Sequence, residues 1–144
     1  MKEHMKTMAL TLKRTIPASP AQVYKEWLDP KSPCNPANGS LRMVYKPKLK
    51  GLFYFVARND GMEIPHYGQF LTLSPGKMIQ QTWIGRYTRG IESKVTTTFK
   101  KQGKDTLVTV HHSNLPDDSF GRMHDWGWNW YLDNLLKQFT KKRK

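Results

Sequence analysis

The pattern of hydrophobic and polar positions predicts a strand and a short helix at the start of the chain. Residues 8–15 alternate imperfectly between apolar and polar side chains, as a half-buried strand does. Residues 19–22, with the sequence SPAQ, form a capping box with proline at the first helical position. Asp29 precedes Pro30, and the residue before a proline is disfavoured in the helical region, so the helix ends there. Residues 30–39 contain three prolines and are predicted to form a loop.

Six further strands are predicted after this loop, and tight turns join most of them. The apolar or alternating runs are bounded by glycine, proline and asparagine, and Asp60-Gly61 is the sharpest hairpin signal. The predicted strands cover residues 41–46, 52–58, 67–73, 78–84, 92–100 and 106–112. Because tight turns connect strands that run in opposite directions, this arrangement predicts an antiparallel meander.

A long helix is predicted at the end of the chain. Asp117 or Asp118 can cap it, and apolar residues at three- and four-residue spacing continue to about Phe139. Gly127 lies inside this helix, where we expect it to mark the close approach of another backbone or a large side chain. The order of elements predicts an α+β fold, in which an antiparallel sheet of about six or seven strands curls around the long helix.

Length and composition indicate a single folded domain over residues 1–144. The chain has the length of one domain, and its five tryptophans, six tyrosines and seven methionines make up for a low aliphatic content. No apolar run approaches the length of a membrane span. Residues 1–9 lack the apolar core of a secretory signal, so we expect a cytoplasmic protein. The single cysteine, Cys34, excludes an internal disulfide.

The chain is strongly basic, with 24 Lys and Arg residues against 11 Asp and Glu residues and a formal net charge of +13. Basic residues cluster along two neighbouring predicted strands and the connection between them: Arg42, Lys46, Lys48, Lys50 and Arg58. Residues 141–144 add a basic tail that we predict to be disordered. This charge is typical of a solvated surface, or it attracts an anionic ligand or an acidic protein partner. Nucleic-acid binding is not favoured, because the aromatic residues are not interleaved with arginine as in single-strand binders.

Candidate chemistry is sparse. His111 and His112 are adjacent on a predicted strand, so their side chains face opposite sides and cannot hold one metal ion together. His124 and Asp125 diverge in the same way on the predicted helix. Cys34 lies in a proline-rich loop without a nearby base, and the chain has no Gly-x-Ser-x-Gly motif. We therefore predict no metal site, no cofactor and no catalytic residue.

Aromatic residues instead indicate the interior of the sheet. Strand alternation places Phe53 with Phe55 on one face, and Gln81 with Trp83 on one face. Such residues either pack as an ordinary core or line an apolar ligand cavity, in which an inward-facing Gln81 would set specificity. The candidate cavity-lining residues are Trp27, Phe53, Phe55, His66, Phe70, Gln81, Trp83, Phe99 and Trp128.

An ordered set of segments carries a family resemblance over most of the chain. The segments are residues 16–20, 50–55, 60–61, 71–75, 79–83, 95–99 and 106–113, with Gly68, Gly127-Trp128, Leu132, Leu135 and Leu136. In them the sequence resembles the homologues of the activator of heat-shock protein 90 ATPase, within the START-like, birch-pollen-allergen-like helix-grip superfamily (SRPBCC). The resemblance implies a curved antiparallel sheet that grips the C-terminal helix, with an apolar cavity between them.

Two departures from the family pattern bear on function. Lys50 stands where the family usually has the first of two glycines, and full-length activators carry a further N-terminal domain that 144 residues do not accommodate. Three functions therefore stay open. We favour the binding of a small apolar ligand in the cavity, ahead of a chaperone-cofactor-like protein-interaction module. A cyclase- or hydrolase-like enzyme ranks last, because it needs an acid–base pair that the sequence does not show.

Overall fold

An antiparallel sheet dominates the computed structural model, which describes residues 6–40 and 42–142. Within these residues the strands are β1 (Thr7–Ile16), β2 (Met43–Tyr45), β3 (Leu52–Asn59), β4 (Met62–Ser74), β5 (Met78–Gly85), β6 (Ser93–Gln102) and β7 (Asp105–Pro116). The helices are α1 (Pro20–Leu28) and α2 (Ser119–Lys142). The order across the sheet is β1-β7-β6-β5-β4-β3-β2, so β2 to β7 form a meander and β1 joins at the β7 edge. The predicted α+β class and antiparallel sheet are confirmed.

The turn between β3 and β4 has the geometry that its sequence predicts. Asp60 and Gly61 both have positive φ, of 50° and 75°, as the favoured two-residue hairpin turn requires. This tight turn pairs Asn59 directly with Met62, so β4 begins at Met62 instead of at residue 67. Pro65 lies in the added part of the strand, opposite Val56 of β3.

Helix α1 begins at the predicted capping residue. The Ser19 hydroxyl accepts a hydrogen bond from the Gln22 backbone N–H at 3.3 Å, and Pro20 is the first helical residue. Val23 and Trp27 are fully buried on the inner face of the helix. Full burial of such an apolar side chain stabilises the fold by about 1.5–3 kcal/mol, which fixes α1 on the sheet.

Helix α2 begins after Asp118, so Asp118, and not Asp117, is the residue that caps it. The Asp118 carboxylate accepts hydrogen bonds from the backbone N–H groups of Phe120 and Gly121 at 2.9 and 3.1 Å. The helix continues to Lys142, beyond the predicted end near Phe139. Of the tail that was predicted to be disordered, residues 141 and 142 are therefore helical, and residues 143 and 144 lie outside the described residues.

Both helices lie on the same face of the sheet and enclose the core. Strand alternation is as predicted: Phe53, Phe55, Gln81 and Trp83 are all buried on this inner face. Helix α2 also packs along β1, where the Arg14 guanidinium contacts Asp133 at 3.0 Å and Asn129 at 2.7 Å. Buried aromatic side chains from both helices and the sheet, among them Trp27, Trp83 and Trp128, belong to this core.

Lys50 adopts a backbone conformation that favours glycine. Its φ is +63°, in the connection between β2 and β3, and Gly51 follows it. A side chain in this left-handed region costs about 1–2 kcal/mol, because Cβ crowds the carbonyl oxygen. This explains why a glycine suits the position.

Replacing Lys50 with glycine is expected to raise the free energy of unfolding by about 0.5–1 kcal/mol, measured by urea denaturation. Lys48→Gly is the matched control, since Lys48 is an exposed lysine of the same connection whose φ is not positive. The control is expected to lower stability, because glycine adds entropy to the unfolded chain. Equal changes in the two variants would contradict the assignment of strain to Lys50.

Candidate functional site

A cavity of about 280 Å³ lies between α2 and the inner face of strands β3, β4 and β5. An apolar cavity of about 150 Å³ can hold benzene, so this volume suits a molecule with one or two aromatic rings. The lining residues are Pro36, Phe55, Ala57, Arg58, Ile64, His66, Trp83, Tyr87, Met123, His124, Trp126, Gly127, Trp128, Trp130 and Tyr131. Most of this wall is aromatic or aliphatic, as in typical small-molecule pockets.

Four of the nine candidate residues from the sequence meet at this cavity. They are Phe55, His66, Trp83 and Trp128. Trp83 is central among them, because its ring centroid lies 5.6 Å from that of Phe55, 5.4 Å from that of His66 and 5.2 Å from that of Trp128. Residues from three strands and a helix therefore share one aromatic surface.

The other five candidates are buried away from the cavity wall, four on the inner face of the sheet and Trp27 on α1. They are Trp27, Phe53, Phe70, Gln81 and Phe99. Helix α1 covers β6, where the rings of Trp27 and Phe99 meet edge to face at 5.8 Å. Gln81 faces inward, opposite Phe70 of β4 and Val95 of β6, but does not line the cavity. Alternation identifies the inner face of a strand, whereas the positions of the helices decide which part of that face stays open.

A chain of hydrogen bonds connects α2 to the sheet beside the cavity. The indole Nε1–H of Trp128 donates to Nδ1 of His112 at 3.0 Å. Nε2 of His112 lies 2.7 Å from the Ser93 hydroxyl, which donates to the backbone carbonyl of Trp83 at 2.5 Å. Since Nδ1 accepts the indole proton, the neutral imidazole carries its own proton on Nε2 and donates it to Ser93.

His112 is held neutral by this arrangement. It is fully buried, and burial lowers its pKa well below the ordinary value, with further lowering from His124, His66 and His111. Protonation of His112 at Nδ1 would also place an N–H donor opposite the indole N–H donor of Trp128. The Ser93–His112 pair is therefore structural: Ser93 donates its proton to a carbonyl, and Nδ1 contacts an indole instead of the carboxylate of a hydrolase triad.

His66 and His124 complete a neutral imidazole cluster. His124 Nδ1 donates to the Gly121 carbonyl at 3.0 Å, and its ring lies 4.7 Å from that of His112. His66 stacks on Phe55 at 4.9 Å, and burial, with a contribution from His124, lowers its pKa to about 4. Burial also lowers the pKa of His124. At neutral pH the inner wall of the cavity therefore carries no formal charge.

Two buried polar atoms of the cavity-lining residues lack a hydrogen-bond partner among the described residues. They are the indole Nε1 of Trp83 and the imidazole Nδ1 of His66. An unsatisfied buried polar group costs about 1–3 kcal/mol. Both atoms are shielded from solvent, so the surface exposed in the cavity is mainly apolar.

The mouth of the cavity lies along one face of α2. Trp126 and Trp130 are 56% and 63% exposed, and Gly127 lies between them. The expected close approach at Gly127 is wrong, because nothing lies within 4 Å of the position that its Cβ would occupy. The missing side chain leaves open space at the cavity wall, which sequence spacing did not indicate.

The described residues show neither a metal cluster nor a membrane-spanning helix. Among residues 6–40 and 42–142, no group of three or more His, Cys, Asp and Glu residues could hold a metal ion. Within the same residues, no helix is long and apolar enough to cross a membrane. His111 and His112 face opposite sides of β7, as predicted, since His111 is exposed and His112 is buried.

Replacing Trp128 with phenylalanine is expected to lower the free energy of unfolding by about 1–3 kcal/mol, because Nδ1 of His112 loses its donor. Trp130→Phe is the matched control on the same helix, and its exposed site predicts a change within about 0.5 kcal/mol. Urea denaturation at neutral pH measures both variants. Equal losses would show that the hydrogen bond to His112 does not contribute.

Stability is expected to fall as the pH decreases from about 6.5 towards 4. The pKa of His66 is lowered from 6.5 to about 4 by burial, so the unfolded chain binds protons first in this window. The contribution of neutral His66 to the free energy of unfolding is complete above pH 6.5 and is lost as the pH falls towards 4. His66→Phe is expected to flatten the dependence, measured by denaturation at several pH values, whereas His111→Gln on the exposed face should retain it. An unchanged slope in His66→Phe would contradict this account.

Comparison with known proteins supports the same fold and identifies the family. The family model of "Activator of Hsp90 ATPase homolog 1-like protein" matches residues 17–140. A relative from Dictyostelium discoideum, an activator of 90 kDa heat shock protein ATPase homolog, is 38% identical over 76 residues, which is 51% of this chain. The matched part spans about a fifth of that relative, 20% of its length.

Solved structures with low sequence identity share the fold. The Mll3558 protein of Rhizobium loti superimposes with a TM-score of 0.78 at 16% identity, covering 94% of this chain and 99% of its own. An HSP90 activator from Plasmodium falciparum has a TM-score of 0.73 at 20% identity, covering 89% of this chain and 93% of its own. At these identities the structures support the helix-grip architecture alone. The family match extends over most of the sequence, and the chain therefore belongs to the family of Activator of Hsp90 ATPase homolog 1-like proteins.

Proposed function

We propose that this chain binds a small, neutral, aromatic or apolar molecule in the cavity between α2 and the sheet. The observation that carries the proposal is the aromatic cavity of about 280 Å³, which is open beside Gly127. The space is partly open to solvent, so a small molecule can reach its aromatic wall through the exposed mouth. The aromatic walls of the cavity favour a planar ligand.

The electrostatics of the wall support an uncharged ligand. His66, His112 and His124 are held neutral by burial. Burying an unpaired charge among such groups would be costly, whereas each apolar Å² removed from water contributes about 25 cal/mol. Arg58 lines the rim, but its side chain is 61% exposed and reaches Glu63 only at 3.9 Å.

Gly127→Leu is expected to block the cavity without damaging the fold. The leucine side chain would enter the open space at the wall, while α2 gains a residue with about 1 kcal/mol better helix propensity. Naphthalene is a suitable probe, with binding measured by calorimetry and by NMR shifts of the lining residues. We expect the affinity to fall at least about tenfold and the melting temperature to stay the same or rise.

Lys137→Leu is the matched control, since Lys137 is exposed on the same helix and does not line the cavity. It should leave naphthalene binding unchanged. Two results would count against the proposal: no binding of naphthalene or similar two-ring probes to the unmodified chain, or equal binding by the unmodified chain and Gly127→Leu.

A second candidate function is a protein-interaction module for a chaperone partner, and the outer face of the sheet favours it. Val44, Tyr54, Tyr67 and Ile84 are register partners on four adjacent strands and form an apolar row on that face. Val44 and Tyr67 are 48% and 49% exposed. Exposed lysines 46, 48 and 50 lie in the connection beside the row.

An apolar centre with a basic rim suits a partner with an acidic surface. The names of the family and of the Dictyostelium relative point to a 90 kDa chaperone as this partner.

This candidate predicts binding to the 90 kDa chaperone that weakens as salt is added, because the basic rim is solvent-exposed. Tyr67→Ser should weaken the complex by removing apolar contact area, whereas His111→Ser, across the sheet on β7, should not. Surface plasmon resonance at two ionic strengths measures both variants. Absence of binding at low ionic strength would exclude the interaction.

A further inference from the structure

The connection between β2 and β3 exposes lysines and leucines side by side. Residues 46–50, with the sequence KPKLK, are all exposed, and we call them the basic loop. Leu49 lies within this loop and is 63% exposed. Leu52 and Leu71, at the adjoining ends of β3 and β4, are 58% and 39% exposed. Large apolar side chains that stay in contact with water in this way mark a protein or membrane interaction site.

Backbone hydrogen bonds hold the basic loop against the end of β4. The Lys50 N–H donates to the Phe70 carbonyl at 2.9 Å, and the Phe70 N–H donates to the Gly51 carbonyl at 2.9 Å. Leu52 and Leu71 are the next residues along the two strands, so they lie beside the loop. The lysines and the three leucines therefore form one surface on a fixed backbone.

The charge of this surface is entirely positive along the chain. No acidic residue occurs between Asp29 and Asp60, whereas six basic residues do: Lys31, Arg42, Lys46, Lys48, Lys50 and Arg58. Among the described residues, no ion pair involves a lysine of the basic loop. Asp60 and Glu63 lie at the far end of the β3–β4 hairpin, and a strand of eight residues spans about 25 Å. This distance exceeds the screening length of about 10 Å, so those carboxylates do not neutralise the loop.

Lys50 adds an independent observation. Its φ of +63° lies in the left-handed region, where glycine would avoid the strain. Strained backbone positions of this kind are common at binding sites. A lysine side chain at this position places a third positive charge beside Leu49, so a binding role for that charge gives the strain a reason.

From this combination we infer that the basic loop docks the protein on the surface of an anionic phospholipid membrane. Leu49 enters the headgroup region, and the lysines contact lipid phosphates. Lysine is depleted in protein interfaces, and their hot spots favour Trp, Tyr and Arg over Leu, so this surface suits lipid better than a protein partner. Each lysine near an anionic bilayer strengthens binding about fivefold, and an inserted leucine adds buried apolar area. Docking on this outer face does not depend on a ligand in the cavity.

Co-sedimentation of the full chain with phosphatidylcholine vesicles, with and without phosphatidylglycerol, tests the role of the lysines. We expect binding to the anionic vesicles alone, and its loss at high ionic strength. The double variant Lys46→Gln/Lys48→Gln should bind at least about tenfold more weakly. Lys100→Gln/Lys101→Gln is the matched control, because it removes the same charge from exposed lysines of β6 and should change binding less than about twofold.

A second pair of variants tests the insertion of the leucine. Leu49→Ser should weaken binding to the anionic vesicles about fivefold, because apolar area is no longer buried in the bilayer. Met62→Ser is the matched control, since Met62 is a 45% exposed apolar residue at the far turn of the hairpin and should not affect binding. All four sites are exposed, so the variants should fold normally, as circular dichroism can verify.

Three outcomes would overturn the inference. The first is no binding to the anionic vesicles at low ionic strength. The second is an equal loss in the two lysine double variants, which would assign the binding to the net charge of +13 instead of to the loop. The third is binding of polyglutamate without binding of vesicles, which would favour an acidic protein as the partner of this face.

Discussion

The position of Trp128 on α2 is the constraint on which the rest of the structure depends. Its indole donates to His112 on β7, stacks on Trp27 of α1 at 6.3 Å and contacts Trp83 of β5 at 5.2 Å. One side chain therefore sets the position of the long helix relative to the other helix and two strands. Because His112 is fixed through Ser93 to the backbone of Trp83, the hydrogen bonds define the separation between α2 and the sheet. The cavity is the space that this separation leaves.

Several features of the site carry a cost in stability that an ordinary core would avoid. Gly127 weakens a helix by about 1 kcal/mol relative to alanine, and the unpaired polar atoms of Trp83 and His66 each cost about 1–3 kcal/mol. Neutral histidines also make the fold sensitive to acid. Such costs are common at binding sites, where stability is exchanged for a shaped, preorganised pocket.

Much of the fold followed from the sequence, because local signals such as the Ser19 cap, the Asp60-Gly61 turn and strand alternation are independent of distant contacts. Only part of the candidate site could be predicted from the sequence. Alternation placed Phe55 and Trp83 inward, but it also placed Phe53 and Gln81 inward, where neighbouring side chains fill the space. The sequence bears on His112 and His124 only as potential metal ligands, since no sequence pattern shows that an imidazole meets an indole from another element. The open space at Gly127 depends on the position of α2, so no local sequence pattern predicts it.

The proposed binding function requires that the apolar cavity between α2 and the sheet be open in the unliganded protein. Xenon enters dry apolar cavities without requiring hydrogen bonds, so a crystal structure under xenon pressure tests this claim directly. Xenon density is expected between Trp83, Trp128 and His66, with the surrounding side chains in their present positions. Absence of xenon, with Met123 or Trp126 packed into the space, would contradict it.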